Sequence, residues 1–390
     1  MRWLLPEHIE DILPDEAMRI EILRRRILDL FFGKKYKLVI PPLVEFTESL
    51  LTGTGYDLDL RTFKLVDQIS GRMMGVRADI TPQVARIDAH MLSGRGVARL
   101  CYCGSVLHAR PAGPGATREP IQIGAEIFGH AGIESDLEIQ ALLCQALKAA
   151  GARRARMDVG HVAVFRALVR AAEIGREREV ELFEALQRKD VPALKSLTRR
   201  LDARTRNALL LLPELYGDAS VLKIAEKKLP RLPELQKALK TLEILAKAAP
   251  VPLSFDLAEL RGYHYHSGVV FDAYCDAGAG GASILIARGG RYDEVGAIFG
   301  RNRPAVGFGL DVKELALLAP APPARAPIVA PRADDAALRE AVRALRGAGE
   351  VVVAALDASA PELADLGNAA GRAGARRLVE SGGRWVVAQR

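Results

Sequence analysis

The chain has 390 residues, 49% of them hydrophobic, which is enough for a buried core in roughly two or three domains. No run approaches the ~20 apolar residues of a membrane span, and acidic residues begin at Glu7, so neither a spanning helix nor a secretory leader is expected and the location is read as cytoplasmic. The net charge of +7 is spread through amphipathic segments without a basic, aromatic-interleaved tract, so it reads as a solvated surface and tRNA is not expected as a partner.

Residues 14–36 carry Ile20, Leu23, Ile27, Leu30 and Phe31 at helical spacing behind Pro14, which predicts an amphipathic helix. Residues 37–46, KLVIPPLVEF, read as a strand broken at Pro41-Pro42. Short strands are predicted at 62–67, 73–79, 97–104 and 121–129, in an antiparallel arrangement, with helices at 81–92 and 134–149. A charged, mostly helical stretch from about 161 to 248 reads as an inserted helical subdomain. Strands return at 253–259, 267–275 and 283–290, and a helix is expected from about 304. The Pro/Ala segment 319–327 reads as a linker, which divides the chain into a core at 1–318 and a small α/β unit at 328–390.

The four cysteines show no framework spacing and read as free thiols; Cys101-x-Cys103 lacks a second ligand pair, so no metal is expected, nor any cofactor. The glycine run 278–283 lacks the Lys-Ser/Thr ending of a phosphate loop and reads as a hairpin turn.

Three places read as a pocket. Asp79 and Thr81 are two apart at a predicted strand end, which places both on one face, fit for an α-ammonium group. The competing reading has Thr81 capping the next helix and Asp79 paired to Arg77. Gln122, Gly124 and Glu126 share a strand face, with space above Gly124 for a small polar ligand and a carboxylate to orient an imidazole. The alternative there is the exposed face of an edge strand. In 260–271, LRGYHYHSGVVF, Arg261 suits a carboxylate, and Tyr265 and His266 suit a pocket wall; His264 or His266 as a lone base lacks an evident nucleophile.

In chain order the sequence carries LPDE (Leu13 to Glu16), PPLVEF, R-x-D-x-T at Arg77 to Thr81, Q-x-G-x-E at Gln122 to Glu126, RG-x-x-Y at Arg261 to Tyr265, GGRYD at Gly289 to Asp293 and PAVGFG at Pro304 to Gly309. Together these resemble the catalytic core of histidyl-tRNA synthetases over residues 1 to about 318. The resemblance implies a class II synthetase-like α+β fold: an antiparallel sheet with flanking helices, a helical insertion and a small C-terminal α/β domain. It also implies histidine binding by Asp79, Thr81, Gln122, Glu126, Arg261 and Tyr265, with His266 where the family commonly has a second tyrosine. Two phosphate-binding arginines of that family have no match. Leu107-His108-Ala109 stands at the first, although Arg110 and Arg118 are near, and Glu314 stands at the second.

The loop 111–117, PAGPGAT, and the short C-terminal unit depart further from a working synthetase. With VLHARPAG at 106–113 and DVGHVAVFRAL at 158–168, the chain is similar to the ATP phosphoribosyltransferase regulatory subunits. That resemblance implies a subunit without chemistry of its own, in the first step of histidine biosynthesis. Its expected partners are a short-form catalytic subunit, in a hetero-octamer with four of each, L-histidine as feedback effector, and a second copy in a dimer through the strand after Pro41-Pro42. A divergent, active histidyl-tRNA synthetase is the alternative.

Overall fold

The structure is a computed structural model that describes residues 4–52, 56–92, 94, 96–113, 115–152, 154–263, 265–276, 283–319, 327–355 and 376–388. It divides into two units, residues 1–320 and 321–390.

In the first unit a mixed sheet has the order Lys37–Leu38, Ala98–Ser105, Ile121–Phe128, Ala305–Asp311, Ser283–Arg291, Val269–Asp276, Arg156–His161, Leu253–Asp256, Tyr216–Gly217. Its central pairings are antiparallel; Lys37–Leu38 and Leu253–Asp256 join in parallel. Alternation along the strands gives the sheet two unlike faces. One face carries Cys101, Ile123, Ala125, Ile127, Phe271, Val306 and Phe308, all buried in the main core. Helices Pro14–Gly33 and Ile133–Ala149 cover it, led by Ile27, Phe31, Ile139 and Leu142, each 0% exposed. The other face carries glycines and polar residues beside a smaller apolar cluster that includes Leu100 and Phe128, and the site lies there.

The first helix stops at Gly33 rather than 36, because the chain turns through Lys35 at φ 65. Pro41-Pro42 separates strand Lys37–Leu38, in the large sheet, from Val44–Phe46, which pairs with Met73–Val76 in a second sheet of three. The helical stretch is observed as helices Ala163–Ala171, Arg176–Gln187, Val191–Leu197, Ala203–Leu211, Ser220–Lys228 and Pro233–Ala248. Its Leu182, Leu209, Leu222, Leu235 and Leu242 belong to the same core as the sheet, so it is packed onto the unit and has no separate core among the described residues.

The expected helix from 304 is a correction. Residues Ala305–Asp311 form a strand, and the helix is Val312–Leu318, capped by Asp311 at Lys313 N–H. Glycine at 307 and 309 opposes a helix and suits a strand that other side chains approach closely.

The second unit has a four-stranded sheet in the order Val352–Ala354, Ile328–Ala330, Arg376–Ser381, Arg384–Ala388, with helix Ala336–Gly347 over Leu338. The predicted turn at 278–283 and the linker at 319–327 fall mostly on residues outside those described, as does His264.

Candidate functional site

The polar face of the large sheet is built in rows. Tyr102, Gly124, Gly309, Arg288 and Asp272 are register partners across five strands. Leu100, Glu126, Gly307, Gly290 and Val270 form the next row, and Gly104, Gln122 and Asp311 the one on the other side. Three glycines on this face sit where a side chain has no room. A Cβ on Gly307 would stand 1.5 Å from Glu126 Oε2; one on Gly309 would stand 2.7 Å from Gln122 Nε2; and one on Gly124 would stand 2.3 Å from the Tyr102 hydroxyl.

Glu126 is the centre of this floor and is 1% exposed. Three hydroxyls surround it. Tyr292 donates to Oε2 at 2.6 Å, and Thr81 and Tyr102 each reach Oε1 at 3.3 Å. Thr81 and Tyr102 are also within 3.0 Å of each other. Burial pushes the Glu126 carboxyl up to about 8, against the pull of the Tyr292 hydrogen bond.

Asp79 and Thr81 do meet in the site, by a different route from the one expected. Thr81 opens helix Thr81–His90, and the strand before it ends at Val76. Period-two geometry therefore does not apply to this pair. Asp79 Oδ1 accepts the Thr81 backbone N–H at 2.8 Å and the Gln122 amide at 3.0 Å. Gln122 in turn accepts Ile80 N–H at 2.9 Å. The capping group is thus Asp79 and not Thr81, and Arg77 donates to the carbonyls of Ser105 and Pro41 rather than to Asp79.

The expected space above Gly124 is also corrected, because the Tyr102 ring occupies it. Strand Ile121–Phe128 is central, not an edge.

Tyr265 stacks on Tyr292 with ring centroids 5.0 Å apart, and His266 meets the Tyr265 ring edge-on at 5.4 Å. The Tyr265 hydroxyl is buried with no hydrogen-bond partner among the described residues. Its acidity falls well below that of an ordinary phenol through burial, with the Glu126 and Asp79 charges adding to the effect. An orphaned hydroxyl beside two carboxylates is a position that a polar ligand atom satisfies. His266 Nδ1 lies 3.2 Å from the Gly262 carbonyl, and burial pushes its ring down to about 4, so it is neutral at pH 7. With Nδ1–H donated to that carbonyl, Nε2 is an acceptor.

Arg261 stands apart from the other six predicted residues. Its guanidinium pairs with Glu259 and with Asp272, each at 2.9 Å. Asp272 is three strands from Glu126, about 14 Å at ordinary strand spacing. Two residues of the floor were absent from the prediction. Tyr102 sits between cysteines weighed as metal ligands, and Tyr292 lies inside GGRYD, which entered only as one motif of the series. An aromatic residue with a cross-strand glycine partner was the available signal for Tyr102.

The phosphate end of a synthetase site looks different here. His108 is buried, with Nε2 3.0 Å from the Ala78 carbonyl and 2.9 Å from Arg61. Arg118 donates to the carbonyls of His108 and Glu7 and lies over the Phe63 ring. Asp311 is opposite Gln122, and burial pushes it up to about 6; burial also raises Glu314. Among the described residues no group of three or more His, Cys, Asp or Glu is arranged to hold a metal, and no helix is long and apolar enough to cross a membrane.

A histidyl-tRNA synthetase family model matches residues 8–315, and the model for the ATP phosphoribosyltransferase subunit HisZ C-terminal domain matches residues 325–388. The chain is 55% identical over 389 residues to the ATP phosphoribosyltransferase regulatory subunit of Ralstonia pickettii, covering 100% of this chain and 98% of that one. It is 56% identical over 389 residues to that of Burkholderia cenocepacia, with 100% and 99% covered. Among solved structures, an ATP phosphoribosyltransferase regulatory subunit/histidyl-tRNA synthetase from Bacillus halodurans C superposes with TM-score 0.81 at 26% identity, over 93% of this chain and 96% of that one. The histidyl-tRNA synthetase of Nostoc sp. shares the fold at TM-score 0.75 and 17% identity, over 97% and 91%. A synthetase-like core that continues into this C-terminal domain, at such identity over the full length, places the chain in the ATP phosphoribosyltransferase regulatory subunit family.

Proposed function

We propose that this chain is the non-catalytic regulatory subunit of a short-form ATP phosphoribosyltransferase and that it carries histidine feedback inhibition of the first step of L-histidine biosynthesis. The observation that supports this reading best is the charge of the site. Glu314 is a carboxylate where the resemblance sets a phosphate-binding arginine, and Asp311 stands beside it on the same segment. Of the two arginines near the first phosphate motif, Arg118 is turned onto the backbone carbonyls of His108 and Glu7. Losing one preorganised donor typically costs about 10²–10³ in rate, so loss of two accounts for a chain that binds an amino acid without activating it.

In this reading the α-ammonium group of L-histidine sits at Asp79 and Thr81, and the imidazole lies against Glu126 with Gln122, Tyr265 and His266 around it. Arg261 leaves Glu259 or Asp272 to meet the ligand carboxylate, which orders the 260–266 loop. Binding shifts the assembly toward an inactive state; a coupling of about 1–3 kcal/mol gives roughly 5–150-fold regulation. The assembly is a cytoplasmic hetero-octamer of four regulatory and four catalytic chains, with the regulatory chains paired through the strand after Pro41-Pro42.

Calorimetric titration with L-histidine, repeated with ATP and magnesium, tests the reading. Histidine binding without ATP binding is expected. Histidine-dependent exchange of pyrophosphate into ATP would instead assign the chain to the active synthetases, a second reading that the double name of the Bacillus halodurans structure keeps open.

A further inference from the structure

The C-terminal unit holds a cavity of about 450 Å³ that histidine sensing does not use. Its size falls within the roughly 300–1,000 Å³ of small-molecule sites. It opens outside the carboxyl ends of the parallel strands Ile328–Ala330 and Val352–Ala354, with Pro331 to Ala333 and Ala355 at its rim. Ligands of open α/β sheets lie outside the carboxyl ends of the strands, and this cavity lies at the ends of two of them.

One wall is helix Ala336–Gly347. Arg339, Arg343 and Arg346 recur four and three residues apart, so they share a face of that helix, and Arg332 adds a fourth guanidinium from the loop. Leu338 and Val342 give apolar surface between them, and among the described residues no aspartate or glutamate lines the cavity. Like charges at this spacing repel, and an anion among them removes the repulsion. Arg343 is exposed and makes no hydrogen bond or ion pair with the described residues. Arg339 is paired with Asp334, a carboxylate 98% exposed, which a ligand oxyanion can replace at little cost. Arg346 is tethered to the Val352 carbonyl at 2.9 Å and is thereby held at the cavity wall.

The geometry points to a binding site for a small phosphorylated metabolite of nucleotide size, its phosphates on Arg332, Arg339, Arg343 and Arg346 and its ring against Leu338 and Val342. Guanidinium forks match phosphate oxygens in pairs, and the apolar strip between them suits a flat ring.

The test is calorimetric titration of the full-length chain with ADP and with inorganic pyrophosphate. Arg343→Glu and Arg339→Glu are compared with Arg384→Glu, which reverses a charge on the edge hairpin of the same unit. Saturable ADP binding is expected in the wild type and in Arg384→Glu. Each of the other two variants should weaken it at least tenfold, with pyrophosphate competing and with melting temperature and histidine binding unchanged. Equal ADP binding in all four proteins puts the nucleotide elsewhere and overturns the assignment. So does the absence of both ADP and pyrophosphate binding. A short RNA that binds the wild type and not Arg343→Glu, while ADP is silent, gives the arginines to nucleic acid and also overturns it.

Discussion

A carboxylate enclosed by three hydroxyls has its acid strength and its taste for ligands set by the same contacts. Burial holds Glu126 up to about 8, whereas in the unfolded chain it titrates near 4.5. Between those values the folded chain keeps a proton that the unfolded chain has lost, so ligand-free stability falls as pH rises from about 5 to 8. The melting temperature of the wild type should drop across that range, and Glu126→Gln should flatten the slope; an unchanged slope refutes the assignment. A cationic ligand favours the ionised carboxylate, so histidine binding at pH 7 should release a proton. Its calorimetric heat should then vary with the ionisation enthalpy of the buffer. Tyr292→Phe removes the 2.6 Å donor to Oε2 and should cost about 1–3 kcal/mol of stability, read by denaturant unfolding, and weaken histidine binding with it. Gln122 and Glu126 were legible because alternation in a strand is a local rule. Asp79 as a cap was not, because only the fold brings the Gln122 amide to its free side. The ion pairs that hold Arg261 back were invisible for the same reason: Asp272 lies across a loop that gives no sign of folding back.

At the scale of elements, glycine decides what the strands can carry. Gly307→Ala would press a Cβ onto both Glu126 Oε2 and the Ala125 carbonyl, 1.5 and 2.6 Å away, and neither carbonyl backbone nor a caged carboxylate yields readily. A loss of about 1–3 kcal/mol is expected on thermal unfolding, as for other overpacked sites. Gly309→Ala meets the side-chain end of Gln122 instead, so it should disturb the hydrogen bonds of that amide to Asp79 and Ile80 and lose histidine affinity with a smaller loss of stability, a contrast that calorimetry on both variants reads directly. A second device is the ion pair of Arg303 and Asp88, 2.9 Å apart and 8% and 2% exposed, which ties the entry to strand Ala305–Asp311 onto helix Thr81–His90. Asp88→Ala leaves a buried cation and should cost about 3–5 kcal/mol in chemical denaturation. The strand itself was misread from sequence as helix. The run PAVGFGLD has no clean two-residue alternation of apolar and polar residues, since its site face is Ala305, Gly307 and Gly309 until Asp311 ends the strand.

At the scale of the molecule, the fold class and the sequence of elements could be read before the structure, because the strand and helix periods are local and the motifs came in a fixed order. The continuity of the core could not. Leu182 of the helical stretch, Ile27 of the first helix and Val306 of the sheet are far apart in sequence and join only on folding. The same core sequesters three of the four thiols. Cys101, Cys144 and Cys275 are buried, Cys103 is partly so, and burial raises them to about 12, 11, 11 and 11 respectively. A thiol reagent at pH 7.5 should therefore react slowly with the native chain and titrate four groups in denaturant; fast native reaction would contradict the packing.

The two-faced sheet has a consequence for descent. Along Ile121–Phe128 and Ala305–Asp311, one set of alternate residues keeps the chain folded and the other faces the candidate site. Those two sets are free to change at different rates. A lineage can exchange recognition groups singly while the residues behind them preserve the backbone, so an ancestral catalyst can lose its reaction and remain a binding protein at every step. The same separation makes the floor a place for laboratory selection, where libraries confined to Tyr102, Gln122, Glu126 and Tyr292 would sample new amino-acid ligands on an inherited frame.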